Sequence, residues 1–406
     1  MSGKALNEKI GLGVIGLGHR GRGLMGLLLG MDDISVVAVS DKYEDRRRLA
    51  VEEAEAAGSP APYSYSDYRE LLARADVDAV IIASSWTSHT EIAIAAMRAG
   101  KYVGSEVGGA ASLEECWQLV RTAEETGMQA MLLENCCYGR EELAVLNMVR
   151  QGLFGELIHC QGAYEHDLRD EVSSGFEKRH YRLNNYLHRS GDVYPTHGLG
   201  PAAKCLNIGR GNRFVALSSM ASKARGINLW AAEHLGADHP SAKANFMVGD
   251  IVTTMIRCAQ GETIVLTHDT SLPRPYSRGQ RVQGTKGLWM EDGNVIHLEG
   301  KSPSHAWESF DSYKQQYEHP IWRDYLEAGV RGGHGGMDYL CLRAFIESVA
   351  ERKAPPIDVY DMAAWMAVTA LSEQSVHLGG GAVAFPDFTN GKWVERGPAP
   401  EGYYAL

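Results

Sequence analysis

Two periods run through the first third of the chain. Residues 10–15, 36–40 and 79–83 are apolar runs of strand length, and the first two lead into stretches whose apolar residues recur at helical spacing. Residues 90–98, stopped by Gly100, and Leu113–Thr126, stopped by Gly127, read as helices, while 101–105 and 128–133 read as strands. Strands alternating with helices predict a parallel sheet wound by crossover helices and closing near Leu133.

Beyond Leu133 the pattern changes. Residues 155–164, 214–220, 251–259, Thr263–Asp269 and 279–283 read as strands, several alternating strictly between apolar and polar, and 288–298 reads as a hairpin turning at Asp292-Gly293-Asn294. These predict a second, open, mainly antiparallel sheet. Residues 167–193 and 301–333 show no clear period and are rich in His, Tyr, Arg and Gly; loops of that length in compact domains are usually functional. Helical spacing returns at Met337–Ala350 and 360–376. The expected fold is α/β: a Rossmann dinucleotide-binding domain over 1–133 and an α+β domain over 134–406 for substrate binding and oligomerisation, whose final helices can pack back on the first domain.

Composition narrows the classes. A chain of 406 residues, 44% hydrophobic and 22% charged, is long enough for two cored units. Its net charge of -11, with no basic stripe to offset it, speaks against a nucleic-acid partner. No apolar signal core precedes the first strand and no stretch reaches the length of a membrane span, so no membrane partner is expected. Seven cysteines, two of them the adjacent Cys136-Cys137, lack both metal-ligand spacing and disulfide-framework density. That pattern suits a reducing compartment, and a cytoplasmic location is expected.

The chemistry starts at Gly16-Leu17-Gly18-His19-Arg20-Gly21, which joins the first strand to a helix. In such a loop the first glycine makes the tight turn, the second admits a pyrophosphate close to the backbone, and the third lets helix and strand pack. Gly11, Gly13 and Gly16 match the same pattern, but inside a strand and with no helix behind them, so context and not the pattern selects the site. Asp41 ends the second strand about 20 residues after Gly21, where this fold places an acceptor for a ribose hydroxyl. Its charge favours NAD over a 2′-phosphorylated cofactor, while Lys42 and Arg46, Arg47 and Arg48 pull the other way.

Further along, Tyr194 and His197 stand just before a helix, and a His with a neighbouring Tyr is common acid–base equipment near neutral pH. Tyr164 and His166, two apart on a strand, share a face. Glu134 and Asn135 leave the last Rossmann strand at its C-terminal end, where open α/β sheets bind ligands. Tyr276 sits in a loop stiffened by Pro273 and Pro275. His334 among Gly332, Gly333, Gly335 and Gly336 suits a glycine-rich helix start or a substrate lid, the former favoured. His89, His166, His197 and Asp338 show no paired-ligand spacing, and no metal is expected.

A Rossmann unit followed by an open-sheet domain resembles the Gfo/Idh/MocA oxidoreductase superfamily across essentially the whole chain. Most members carry Glu-Lys-Pro where this chain has Glu106-Val107-Gly108, and that lysine serves as an acid/base beside the nicotinamide. A valine moves no proton. Five further motifs resemble one branch, glycoside hydrolase family 109, the NAD-dependent α-N-acetylgalactosaminidases. They are Glu134-Asn135-Cys136-Cys137-Tyr138, Tyr164-Glu165-His166-Asp167-Leu168-Arg169, Tyr194-Pro195-Thr196-His197-Gly198-Leu199-Gly200-Pro201, Pro273-Arg274-Pro275-Tyr276 and Gly333-His334-Gly335-Gly336-Met337-Asp338. The chain departs from that branch at Gly108, usually Pro, and at Ser84-Ser85, usually Thr-Pro.

The resemblance implies His197, Tyr194 and Tyr276 as proton carriers, and Tyr164, His166, Arg182 and Glu134 around the sugar. Gly16, Gly18, His19, Arg20, Gly21, Asp41, Trp86, His89, Glu106, Val107 and Asn135 would hold NAD. It also implies a glycosidase acting on a small glycoside or a glycan terminus by transient oxidation, elimination, hydration and re-reduction, as a homo-oligomer joined through the C-terminal sheet. The competing expectation is a sugar or cyclitol dehydrogenase with net NAD(P) turnover.

Overall fold

The computed structural model of the chain describes residues 9–397 and 402–406; residues 1–8, part of the polar lead-in to the first strand, and 398–401 lie outside the described residues. The first sheet holds β1 (Ile10–Ile15), β2 (Ile34–Ser40), β3 (Tyr63–Tyr65), β4 (Ala79–Ile82), β5 (Tyr102–Ser105) and β6 (Ala130–Leu132). Their order is β3-β2-β1-β4-β5-β6 and every pairing is parallel. All four residues of β4 are buried, as a central strand covered by helices on both faces requires. Strand order reverses between β1 and β4, and that switch point opens a crevice at the C-terminal ends of the strands.

The second sheet has nine strands: β7 (Leu157–Glu165), β8 (Phe214–Ala221), β9 (Ile251–Cys258), β10 (Thr263–Asp269), β11 (Arg281–Gly284), β12 (Gly287–Met290), β13 (Val295–Leu298), β14 (Glu308–Ser309) and β15 (Val383–Ala384). They run in the order β14-β13-β12-β11-β7-β10-β9-β8-β15, antiparallel except where β7 meets β10. In β9 Val252, Thr254, Ile256 and Cys258 are buried while Thr253, Met255 and Arg257 face outward, so one face carries the core and the other is open.

The Val359–His377 helix joins the two halves. It opens on a capping box made by Asp358 and Asp361 and is buried on nearly every side. Its neighbours are the Leu113–Thr126 helix and β6 on one side and β8 on the other. Among the described residues no helix is long and apolar enough to cross a membrane.

Residues 167–193 and 301–333 are not bare loops. The first contains helices Arg169–Ser173, Gly175–Lys178 and Tyr181–His188, the second Phe310–Gln316 and Pro320–Ala328. With only four to nine residues each, these helices span too few turns for a hydrophobic period to show. Two of them are capped by histidine: His180 accepts from the Arg182 N–H and His319 from the Ile321 N–H.

Candidate active site

The crevice at the end of β1 is lined by glycines, two of which, Gly16 and Gly21, leave no room for a side chain. Gly16 has φ 92°, and a Cβ there would lie 2.4 Å from the Ser84 nitrogen; a Cβ on Gly21 would lie 1.9 Å from the Gly16 carbonyl oxygen. Beside Gly18 the nearest atom to such a Cβ is 3.7 Å away, on Arg46, so the space above this glycine is open. It lies just before the His19–Leu29 helix, whose first N–H groups have no intrahelical partner and suit a phosphate; His19 itself is exposed.

Asp41 is fixed by its backbone neighbours, Oδ2 accepting from the Leu17 N–H at 2.8 Å and Oδ1 from the Tyr43 N–H at 2.9 Å. The nearby arginines are occupied: Arg47 donates to the Asp41 carbonyl at 2.7 Å, Arg48 pairs with Glu52 at 2.7 Å, and Arg46 lies 3.8 Å from Asp41 itself.

At the end of β4, Trp86 and His89 stand on the first turns of the Trp86–Arg98 helix. His89 Nε2 is 3.0 Å from the Ser84 carbonyl, and burial pushes its pKa down to about 4, so the ring is neutral. Gly108 has φ 154° and its Cα faces the Trp86 ring, where a Cβ would come within 2.5 Å. A proline, held near φ -65°, does not fit that backbone, which explains locally why Glu106-Val107 is followed by glycine. Val107 is buried. Arg20 turns its guanidinium to Glu106 at 2.8 Å and to Asp338 at 2.7 and 2.9 Å. Asn135 donates to the same Asp338 at 2.7 Å.

The residues expected around the sugar meet beside this crevice. Glu134 leaves β6 fully buried, and its Oε1 lies 2.7 Å from His197 Nδ1. Burial pushes the Glu134 pKa upward, but the charge and hydrogen bond of His197, with the Cys136 N–H, more than offset it and hold the carboxyl below its ordinary range. Nε2 of the same imidazole is 3.4 Å from Tyr194 Oη. The Thr196–Cys205 helix reaches this place because it carries no side chain at Gly198, where a Cβ would be 2.4 Å from the Ala163 nitrogen on β7. That close approach sets Tyr194 and His197 against Tyr164, with ring centroids 4.4 and 5.5 Å apart.

Arg182 is buried, not solvated, on the short Tyr181–His188 helix. Its guanidinium carbon lies 4.9 Å from the Tyr194 ring centre, 5.1 Å from Trp86, 5.5 Å from Tyr164 and 5.6 Å from Tyr181. It donates to Tyr164 Oη at 3.3 Å and pairs with Glu171 at 2.7 Å. His166 Nδ1 is 3.3 Å from the same Tyr164 hydroxyl, and burial followed by the charge of Arg182 lowers its pKa. Tyr276 is half-exposed over this group, edge-on to His166 at 5.1 Å and to Tyr164 at 6.4 Å.

All seven proton- and sugar-site candidates thus fall in one cluster beside the crevice. Two neighbours escaped the sequence. His268 on β10 pairs in register with Tyr164, is buried, and has its pKa pushed down to about 3 by burial. Its position in step with buried Ile264 and Leu266 was the available signal. For Asp338, already part of the motif over 333–338, what escaped was its contact with Arg20, 318 positions away. Glu134, Cys136 and His197 bring ligand-type atoms within 4.8 Å of one another. They are arranged as a hydrogen-bonded acid–imidazole pair beside a thiol whose pKa burial raises.

The comparisons agree with this geometry. Residues 10–133 match the family described as "Oxidoreductase family, NAD-binding Rossmann fold", and residues 138–395 match "Glycosyl hydrolase 109, C-terminal domain". Among solved structures, levoglucosan dehydrogenase in complex with NADH and levoglucosan superposes with a TM-score of 0.72 over 93% of this chain and 100% of that one. An aldose-aldose oxidoreductase from Caulobacter crescentus gives 0.68 over 93% and 100%. Identities of 20% and 18% make these likenesses of fold. In sequence the chain is 44% identical over 410 residues to an α-N-acetylgalactosaminidase of Tannerella forsythia, covering 95% of this chain and 88% of the relative. It is also 44% identical over 418 residues to a glycosyl hydrolase family 109 protein of Stenotrophomonas maltophilia, covering 97% and 92%. With a family 109 C-terminal domain behind an NAD-binding Rossmann domain and relatives this similar over nearly the whole length, the chain belongs to glycosyl hydrolase family 109 and is a glycosidase.

Proposed function

We propose that this protein hydrolyses terminal α-N-acetylgalactosaminides in a redox-neutral cycle, with residues 1–133 holding NAD and residues 134–406 holding the sugar. The observation that carries the reading is the chain Glu134–His197–Tyr194, with contacts of 2.7 and 3.4 Å, placed beside a glycine cradle that has Val107 where a net dehydrogenase keeps its lysine. Gly16, Gly18 and Gly21 with the helix start behind them fit a pyrophosphate, and Asp41 fits an unphosphorylated ribose. NAD held there by Gly16, Gly18, Gly21 and Asp41 would supply reversible hydride exchange with the sugar C3, with no net reduction of the cofactor over a turnover.

The remaining chemistry belongs to side chains. A ketone at C3 acidifies the C2 proton, because the charge left on C2 delocalises onto the carbonyl. Removal of that proton expels the C1 oxygen with its aglycon, which takes up a proton as it leaves; water then adds at C1 and a proton returns to C2. The Glu134 carboxylate holds His197 with Nδ1–H inward, leaving Nε2 to exchange protons with Tyr194 Oη and the sugar. Tyr164, His166 and Tyr276 form a second set of proton-bearing groups, and Arg182 lends positive charge to Tyr164.

The test is an aryl α-N-acetylgalactosaminide supplied to protein purified without added NAD. The expected result is aglycon release with no growth in NADH absorbance, abolished in His197→Ala; steady NADH production without aglycon would instead establish a dehydrogenase. The proposal includes two wider points. The seven cysteines are free and buried, which suits the cytoplasm, and exposed Met255 on the open face of the second sheet suits pairing with another copy, to be checked by light scattering.

A further inference from the structure

The motif Gly333-His334-Gly335-Gly336-Met337-Asp338 has no part in the chemistry above, yet it reaches the cofactor crevice. Gly332, His334, Gly335 and Gly336 have φ of 84°, 52°, 64° and 97°, a run of left-handed residues that turns the chain sharply into the Met337–Ala350 helix. The turn lies on the Rossmann domain: a Cβ on Gly332 would fall 2.6 Å from Leu27, on the helix that carries Arg20 at its start. It delivers Asp338, nearly fully buried, to the crevice.

There one carboxylate ties together three strand ends. Asp338 accepts two hydrogen bonds from Arg20, at 2.7 and 2.9 Å, and one from Asn135 at 2.7 Å, while Arg20 also pairs with Glu106 at 2.7 Å. These partners come from the loop after β1, the end of β6 and the end of β5. His334 adds its Nδ1 at 2.8 Å. The bonds have two consequences. With Nε, Nη1 and Nη2 all engaged, the Arg20 guanidinium is held in one orientation by the two carboxylates. An ionised carboxylate only accepts, so Asn135 must give it Nδ2, and Oδ1 is thereby set as the opposite end of the amide.

We propose that Asp338 is a positioning residue for the dinucleotide: the sugar domain uses it to fix Arg20 and Asn135, so that cofactor affinity depends on a side chain outside the Rossmann domain. The inference rests on reading the crevice as an NAD site. Charge-assisted hydrogen bonds of this kind justify an effect of about 10- to 100-fold. The experiment strips NAD from the full-length protein and titrates it back by calorimetry into wild type, Asp338→Asn, Arg20→Gln and the double variant, alongside NAD content as purified and the Tm of each stripped protein.

Each single variant is expected to bind NAD at least tenfold more weakly, and the double variant no more weakly than the worse single one, because both break the same link. A purely structural Asp338 would lower the Tm of stripped protein and leave the NAD Kd unchanged. That outcome, or losses that simply multiply in the double variant, overturns the proposal. If Asp338→Asn does not fold, wild-type affinity in Arg20→Gln overturns it equally. Failure of wild type to bind NAD at all would refute the cofactor reading instead, and a failure of glycosidase activity leaves these affinities readable.

Discussion

Replacing Glu134 by Gln keeps the shape of the side chain and removes its charge. The carboxylate is fully buried, 2.7 Å from His197 Nδ1, and held ionised by that contact against the cost of burial. It does two things a glutamine does not. It stabilises positive charge on the imidazole while a proton is in transit, and it accepts only, which fixes the proton on Nδ1 and keeps Nε2 facing Tyr194. A hydrogen bond to a charged group contributes about 1.5–3 kcal/mol against about 1 kcal/mol for a neutral one. At about 1.4 kcal/mol per tenfold, exchanging the charged bond for a neutral one, a loss of about 0.5–2 kcal/mol, lowers kcat by about 2- to 30-fold, and a glutamine that presents its NH2 group to Nδ1 lowers it further. The measurement is kcat and KM for aglycon release, with bound NAD quantified in the same preparation. The expected pattern is a fall in kcat with KM changed by less than about threefold and a full complement of NAD, since the pair acts on proton transfer and not on binding. A variant that keeps NAD and loses less than about twofold in kcat would refute the role given to this pair.

Three other outcomes follow from the same coordinates. Asp192, buried behind Tyr194 and accepting its N–H at 3.0 Å, has its pKa raised to about 7 by burial. A carboxyl whose folded pKa is raised contributes stability that is complete below its unfolded pKa and is lost as pH rises through about 7. Denaturant midpoints should therefore fall between pH 5.5 and pH 8.5, by up to a few kcal/mol, and the fall should flatten in Asp192→Asn; parallel profiles would show that Asp192 is not its source. Gly198→Ala puts a Cβ 2.4 Å from the Ala163 nitrogen and must push the Thr196–Cys205 helix off β7, so a loss of about 1–3 kcal/mol in stability and at least tenfold in kcat is expected. Wild-type stability with wild-type kcat would show that this close approach does not set the site. Finally, NAD should bind at least tenfold more tightly than NADP, because Asp41 repels a 2′-phosphate and the adjacent arginines are engaged elsewhere; equal Kd values would overturn the reading of Asp41.

The fold was legible wherever an element is long and sits in one environment. β4 is buried throughout and reads as an unbroken apolar run, and β9 has one wet face and alternates. The Tyr181–His188 helix is the opposite case. It has eight residues and is capped by a histidine, so the residues alone gave no element to carry Arg182, which only the family resemblance placed at the site and which is enclosed by Trp86, Tyr164, Tyr181 and Tyr194. Periodicity reports which face of an element meets the core, and two turns are too few to show one. The Arg20–Asp338 contact marks a harder limit: it joins residues 318 apart, and each end taken singly looks ordinary, an arginine in a phosphate loop and an acid in the first turn of a helix. What the sequence did carry was the one position where chemistry had been removed. A buried valine at position 107 is unremarkable as packing and informative as a substitution, because a net dehydrogenase in this fold needs a proton carrier beside the cofactor and the structure offers only hydrocarbon at that side chain. Titratable groups are instead gathered on the Thr196–Cys205 helix and β7, where the proposed function places the sugar. In the proposed cycle, moving the proton chemistry from the cofactor domain to the sugar domain would let one dinucleotide site serve a bond cleavage that leaves the cofactor unchanged.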